Sequence, residues 1–290
     1  MTENALTKKA MIVSLTISML GTSKKDKAAT DEIIAIKGAD VGAGNFNKRL
    51  FPKEAVDRIT EAANEIRTFH RDNTLPWNDE GSRLLASKNY SKYNEMMTSL
   101  TDTFNERIEE FVSCYDDHIK EARERLGEMF NEKDYKDVSE IKDKFGVKFT
   151  YFPIPTAKDF RIDLSSEELQ VVQDQIEKDV NAKYKHAMSS AWNDVNGKIK
   201  RLIERLEDPD RILRARLIDS IKELIPVLET FNIDDDPEFE KIINEIKNNI
   251  CSSTTAELNK DQKKCEEVIE NAKSVVAKIN DYQSFFDVEV

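Results

Sequence analysis

Two long amphipathic stretches constrain the fold of this chain more than any other feature. Apolar residues recur along residues 88–131 at a spacing of about 3.6 and along residues 165–207 at about 3.7. Both periods match one face of an α-helix and differ from the repeat of a left-handed coiled coil. Ser165 and Glu168 form the sequence signature of a capping box at the start of the second stretch. We therefore predict two long, nearly straight helices that pack side by side as an antiparallel hairpin.

Two shorter segments carry the alternating pattern of β-strands, residues 11–20 and residues 147–151. A sheet of only two strands is marginally stable, so we expect it to pack on helices or to gain another strand. Residues 71–87 have no periodic pattern and contain turn residues around Trp77. This irregular segment is interpreted either as a loop held by a buried Trp77 or as a binding loop.

The predicted fold class is mainly α (α+β), with a small β-sheet base, a long helical hairpin and further helices at the C-terminal end. The predicted domain division follows from this order of elements. Its three parts are an α/β base of residues 1–87 and 132–164, a hairpin of residues 88–131 and 165–207, and a C-terminal helical region of residues 208–290.

Composition and charge limit the function classes. Hydrophobic residues make up 39% of the chain and charged residues 34%, a balance typical of elongated helices that bury one stripe. The formal net charge is −12, which argues against general binding to nucleic acids, because phosphate contacts favour basic proteins. Three cysteines without motif spacing are typical of a reducing compartment, and no apolar run is long enough to span a membrane. We therefore expect a cytoplasmic protein.

The sequence contains no recognisable catalytic, cofactor or metal motif. The three histidines are far apart, and the cysteines lack the spacing of a zinc site. No serine stands in a nucleophile elbow, and the glycine-rich residues 38–48 do not follow a strand in a βαβ unit. We accordingly predict no cofactor, no metal and no enzymatic activity.

One group of polar and aromatic residues lies between residues 45 and 85. If its loops converge, it would form a polar pocket with an aromatic wall that suits an anionic group; otherwise these residues only stabilise their loops. The candidate binding residues are Asn47, Lys48, Arg67, His70, Trp77, Asp79 and Arg83.

Basic residues are concentrated near the beginning of the chain. Residues 1–60 contain ten Lys and Arg against seven Asp and Glu, a net charge of +3 within an acidic protein. This basic patch is either the solvated rim of the first strand or a surface for an anionic partner. Its members are Lys8, Lys9, Lys24, Lys25 and Lys27.

Several short motifs resemble a family of uncharacterised phage and bacterial proteins, over about residues 5–200. The matching segments are residues 6–20, Leu75-Pro76-Trp77, Gly81, Arg83-Leu84-Leu85, Arg125-Leu126-Gly127, Phe130-Asn131, Asp134-Tyr135 and Asp159-Phe160-Arg161. The family has no assigned activity. The resemblance implies a genomic context, because such genes often lie near genes for MoxR-type AAA+ ATPases and von Willebrand A-type proteins.

These observations favour a non-enzymatic, phage-encoded assembly or adaptor protein in the host cytoplasm, self-associating or acting with an AAA+ ATPase system. A nucleic-acid-handling accessory protein that uses the basic patch is the first alternative. An inhibitor of a host defence protein is the second, because an acidic helical surface can mimic nucleic acid. An unrecognised enzyme that uses His70, Asp79 and Arg83 is the least favoured.

Overall fold

The computed structural model describes residues 3–157, 165–208, 212–233 and 235–287. The strands are β1 (Ala10–Ser18), β2 (Ser23–Lys25), β3 (Asn47–Arg49), β4 (Leu75–Pro76), β5 (Ser82–Ala86) and β6 (Gly146–Phe152). The α-helices are α1 (Glu3–Lys9), α2 (Lys27–Lys37), α3 (Lys53–Asp72), α4 (Tyr90–Ser113), α5 (Tyr115–Leu126), α6 (Val138–Lys142), α7 (Ser166–Glu207), α8 (Arg216–Lys222), α9 (Ile225–Thr230), α10 (Pro237–Glu245), α11 (Thr255–Lys260) and α12 (Gln262–Asp287). Asp159-Phe160-Arg161, part of the family resemblance, lies outside the described residues.

The mainly α (α+β) class predicted from the sequence is confirmed. The chain forms two compact units, which we describe separately. The first unit contains Met1–Ser14, His70–Asn94 and Thr150–Val290, and the second contains Leu15–Phe69 and Glu95–Phe149. This division differs from the predicted base, hairpin and C-terminal region, because the chain passes between the units several times.

The predicted strands belong to a four-stranded sheet with the order β4-β5-β1-β6. β1 pairs antiparallel with β5, where Ala10 lies opposite Ala86 and Ser14 lies opposite Ser82. The hydroxyls of Ser14 and Ser82 are 2.9 Å apart, within hydrogen-bonding distance. The sheet therefore gains the further strands that a two-stranded sheet requires for stability. A separate antiparallel pair joins β2 and β3.

Residues 71–87 were predicted to be irregular, but they contain the antiparallel hairpin β4–β5. Its turn uses Asn78, whose side-chain oxygen accepts a hydrogen bond of 2.9 Å from the Ser82 amide. Gly81 has a φ of 90°, which glycine adopts without steric cost. Trp77 is only 6% exposed, which agrees with the interpretation of a segment held by a buried tryptophan. Because both strands are short, residues typical of turns dominate the sequence pattern of this segment, and the hairpin could not be predicted.

The helix predicted over residues 88–131 is broken at Cys114. α4 ends at Ser113 and α5 begins at Tyr115, where Asp116 and Asp117 occupy the first turn, a favourable position for negative charge. The Ser113 hydroxyl donates a hydrogen bond of 2.7 Å to the Glu110 carbonyl at the end of α4. The apolar stripe continues past the break because one residue between two helices barely shifts the buried face. The period alone therefore could not reveal it.

The second predicted long helix is present as α7, a single helix of 42 residues. Ser165 and Glu168 form the predicted capping box. Within the first unit, α7 packs most extensively against α12. Asn196 of α7 donates a hydrogen bond of 2.8 Å to Asn280 of α12 inside this interface. α12 has the same kind of apolar face. An apolar face shows that a helix is buried on one side, but it does not specify which other helix covers that side.

The α7 stripe forms the centre of the core of the first unit. Trp192 is fully buried and makes edge contacts with Phe239 and Tyr282. Buried residues of α7 continue from Val180 to Leu206, which leaves the first turns of the helix outside the core. Along the described ranges, no helix combines the length and the apolar character that crossing a membrane requires.

Candidate functional site

The seven candidate binding residues fall into two groups. Asn47, Lys48 and Arg67 belong to the second unit, whereas His70, Trp77, Asp79 and Arg83 belong to the first. Within the first unit the structure brings His70 and Arg83 together, and it places Trp77 in the core and Asp79 in the exposed turn of the β4–β5 hairpin.

Arg83 and His70 meet around Thr74, just after the end of α3. The Thr74 hydroxyl donates a hydrogen bond of 2.5 Å to the His70 carbonyl. Arg83 Nε donates to the same hydroxyl at 2.6 Å, and its Nη2 donates to the carbonyls of Thr74 at 2.7 Å and Arg71 at 3.0 Å. These bonds fix the guanidinium plane and hold β5 against the end of α3.

His70 is 5% exposed, and its Nδ1 lies 2.6 Å from the hydroxyl of the fully buried Tyr93. Burial, with the nearby charge of Arg83, lowers the His70 pKa to about 4. Burial also raises the pKa of Tyr93 well above its usual value. Both groups are therefore neutral at pH 7. His70 Nε2 is buried without a hydrogen-bond partner, a feature that costs free energy in the folded state.

A cavity of about 440 Å³ lies beside this group, within the first unit. Its walls come from the end of α3, the β4–β5 hairpin, α7 and α9. The polar lining residues are Arg71, Asp72, Thr74, Arg83, Ser190 and Asp194, and the apolar ones are Leu75, Pro76, Ala191, Val195, Leu224, Val227 and Leu228. The cavity is within the size range of pockets that hold small organic molecules. The sequence could not indicate it, because α7 and α9 lie far along the chain from the candidate cluster.

In the second unit, Lys48 lies in a buried network of ion pairs. Its ammonium is 3.0 Å from Asp134 and 3.1 Å from Asp26, and it donates a hydrogen bond of 2.6 Å to the Met129 carbonyl. Lys24 contacts the other oxygen of Asp134 at 2.7 Å. The side chains of Lys48 and Asp134 are only 6% and 4% exposed. Lys48 is therefore held by structural ion pairs inside the second unit.

The pKa values in this network follow from two opposing effects. Burial raises the pKa of Asp134, but hydrogen bonds and charge from Lys24 and Lys48 outweigh it, so that the pKa is lower than usual. Burial lowers the pKa of Lys48, but Asp134 and Asp26 outweigh it and raise the value. Asp134 and Lys48 therefore stay charged at neutral pH.

Asn47 and Arg67 lie on the surface of the second unit. Asn47 stands in β3 opposite Lys25, and Arg67 donates a hydrogen bond of 3.0 Å to the Asn64 side chain. Neither residue contributes to the cavity of the first unit or to the Lys48 network. Contacts within either unit therefore do not bring all seven candidate residues together in one pocket.

Part of the basic patch is neutralised. Lys9 donates a hydrogen bond of 2.5 Å to the Ile233 carbonyl and lies 3.5 Å from Asp235, and Lys24 is paired with Asp134. Lys8, Lys25 and Lys27 are exposed. Lys8 and Lys9 belong to the first unit, whereas Lys24, Lys25 and Lys27 belong to the second.

The second unit also carries an apolar surface that the sequence did not indicate. Ile33 is 45% exposed, Ile36 is 71% exposed and Val41 is 94% exposed. We call these three residues of α2 and the following loop the α2 surface. Next to it is a mostly apolar groove of about 290 Å³, which Ile34 and Phe46 help to line. The sequence alone could not show that these isoleucines face outward.

Polar contacts hold α2 in place, which explains why its isoleucines are free to face water. Asp26 caps the helix by accepting a hydrogen bond of 3.1 Å from the Ala29 amide, and Lys48 holds the same carboxylate. Thr30 is the buried residue of the helix, and its hydroxyl donates to the Asp26 carbonyl and accepts from the Phe46 amide. The α2 surface therefore stands on a fixed base.

No family model, curated protein or solved structure matches this chain. Among the described residues, no group of three or more His, Cys, Asp and Glu side chains is placed to hold a metal ion. The candidate features are therefore the α2 surface and the arginine-lined cavity.

Proposed function

We propose that this chain is a non-enzymatic assembly or adaptor protein that self-associates through the α2 surface. The observation that carries the proposal is the outward position of Ile33, Ile36 and Val41 on an anchored helix. Clustered, exposed apolar residues are typical of protein interaction sites, whereas single exposed ones are common on any surface. A preformed surface also reduces the ordering cost of association.

The resemblance to phage and bacterial proteins supports the same class of function. It suggests a cytoplasmic role in a phage-infected host, with a MoxR-type AAA+ ATPase as a further partner. In this proposal the α2 surface joins copies of the chain, and the assembled protein then acts with the ATPase.

The self-association is tested by sedimentation velocity over a range of protein concentrations. We expect the wild-type chain to form dimers or larger species at micromolar concentration, and we expect Ile36→Asp to remain monomeric, because it places a charge in the contact. Ile36 is 71% exposed, so the substitution should leave the fold intact.

Val171→Asp is the matched control, because Val171 is 69% exposed on α7 in the other unit. This variant should associate like the wild type. A wild-type chain that stays monomeric at every concentration would contradict the proposal. Association that Val171→Asp abolishes and Ile36→Asp leaves unchanged would place the interface elsewhere.

Nucleic-acid handling is the second proposal, and it rests on the exposed side chains of Lys25 and Lys27 beside Lys24 in the second unit. Pairing with Asp134 neutralises Lys24, which reduces the positive charge offered to phosphates. Binding to single- or double-stranded DNA that weakens with salt, and that is lost when Lys25 and Lys27 become glutamine, would support it. No binding at low salt would exclude it.

A further inference from the structure

We propose that the cavity of the first unit binds a small organic monoanion, with its carboxylate at Arg83 and its apolar body against α7 and α9. This site is separate from the α2 surface and does not depend on the proposed self-association. Its support comes from three features of the cavity: its charge balance, its apolar wall and the fixed position of Arg83.

The charge balance leaves one cation without a carboxylate. Arg71 lies 3.3 Å from Asp72, and Asp194 lies 3.4 Å from Lys198. Among the described residues, no carboxylate lies within ion-pair distance of Arg83. The cavity is lined by two cations, Arg71 and Arg83, and two carboxylates, Asp72 and Asp194. Because Lys198, outside the lining, pairs with Asp194, Arg83 is the lining cation without a carboxylate at ion-pair distance in the described part of the chain. An uncompensated, half-buried charge is costly, and a bound anion would remove that cost.

Arg83 is positioned to receive an anion without rearrangement. Its Nε and Nη2 are bonded to Thr74 and to the Arg71 carbonyl, so the guanidinium has a fixed orientation. Its Nη1 has no hydrogen-bond partner among the described residues. A guanidinium fixed in this way donates to a carboxylate with little loss of side-chain freedom.

The walls of the cavity select the kind of anion. Leu224, Val227 and Leu228 line one side, and Ala191 lines another. An inorganic anion would leave these side chains facing water, whereas an aliphatic or aromatic body would cover them. Asp72 and Asp194 also border the cavity and would repel a dianion more strongly than a monoanion. A carboxylate on a short apolar chain satisfies all three constraints.

Isothermal titration of the full chain with hexanoate, hexanol and inorganic phosphate tests the proposal. Hexanoate should bind saturably in the millimolar range or tighter. Hexanol, which has the same apolar body without the charge, should bind about tenfold more weakly or worse, because it lacks the charge-assisted hydrogen bond. Phosphate should bind more weakly than hexanoate.

Two variants locate the site. Arg83→Gln should weaken hexanoate binding by about tenfold or more, with a loss of its salt dependence. Because Arg83 also supports the hairpin, Ala191→Phe serves as a second variant that fills the cavity and leaves Arg83 unchanged. It should abolish binding, whereas Ala182→Phe, at an exposed position of the same helix, should leave binding unchanged.

Four results would overturn the proposal. They are the absence of saturable hexanoate binding, equal affinity for hexanol, equal or tighter binding of phosphate, and hexanoate binding that Ala191→Phe does not change. None of them bears on self-association through the α2 surface, so the two proposals fail independently.

Discussion

Replacing Lys48 with methionine should lower the free energy of unfolding of the second unit by about 3 kcal/mol. The change removes the cation between Asp134 and Asp26 and the hydrogen bond to the Met129 carbonyl. Asp134, only 4% exposed, would then keep only the outer contact with Lys24. Because water reaches the network from the side of Lys24, we place the loss at the lower end of the range for buried pairs.

The measurement has to report on the second unit. Both tryptophans, Trp77 and Trp192, lie in the first unit, so tryptophan fluorescence would miss the change. Hydrogen exchange of the β2 and β3 amides follows the affected region directly, and it gives a local free energy of opening. The protection of the β2 and β3 amides should fall in Lys48→Met, whereas the protection of the α12 amides should be unchanged.

Lys24→Met is the matched control for Lys48→Met. Lys24 contacts the same Asp134, but its side chain is 55% exposed, so its loss should cost less than about 1 kcal/mol. Adding Asp134→Asn to Lys48→Met should recover part of the stability, because it removes the buried charge left unpaired. Equal losses for the two lysine variants would show that burial of Lys48 has no special weight.

The elements that could be predicted from the sequence are those set by neighbouring residues. The capping box at Ser165 and Glu168 acts over one helical turn, and it starts α7 where predicted. The strands β1 and β6, which were predicted from the alternation of adjacent residues, are also present. Trp77 is buried, as one of the two interpretations of its turn-rich segment predicted.

The partners of these elements could not be predicted, because they depend on residues far apart in the sequence. Within the first unit α7 meets α12, although residues 88–131 carry an apolar stripe of similar period. The ion pairs of Lys48 could not be predicted, because its partners Asp26 and Asp134 are not recognisable by spacing. Arg83 and His70 lie close together around Thr74, since only a short hairpin separates them along the chain.

The second large effect is a dependence of stability on pH that arises from His70. In the unfolded chain its pKa is the ordinary 6.5, whereas in the fold burial and Arg83 lower it to about 4. Above pH 6.5 both states are neutral and His70 contributes no slope. As the pH falls from 6.5 to about 4, only the unfolded state gains the proton, so the free energy of unfolding should fall by about 3 kcal/mol.

Urea unfolding of the wild type and His70→Gln at several pH values between 7 and 4 measures this loss. Tryptophan fluorescence is the suitable signal here, because Trp77 and Trp192 share the first unit with His70. Glutamine does not titrate, so the variant should be less sensitive to acid than the wild type. Although glutamine can accept the hydrogen bond from Tyr93, we expect the variant to be less stable than the wild type at pH 7. Carboxylates titrate in both proteins, and the difference between the two curves isolates His70.

His186→Gln provides the comparison, because His186 is exposed on α7 in the same unit. Its curve should be parallel to that of the wild type. If His70→Gln lost stability with pH as steeply as the wild type, the imidazole would be accepting a proton inside the fold, and the buried pair with Tyr93 would be charged. A protonated His70 would also add a second positive charge beside Arg83, so the same experiment determines whether the cavity is bordered by a neutral or a charged histidine.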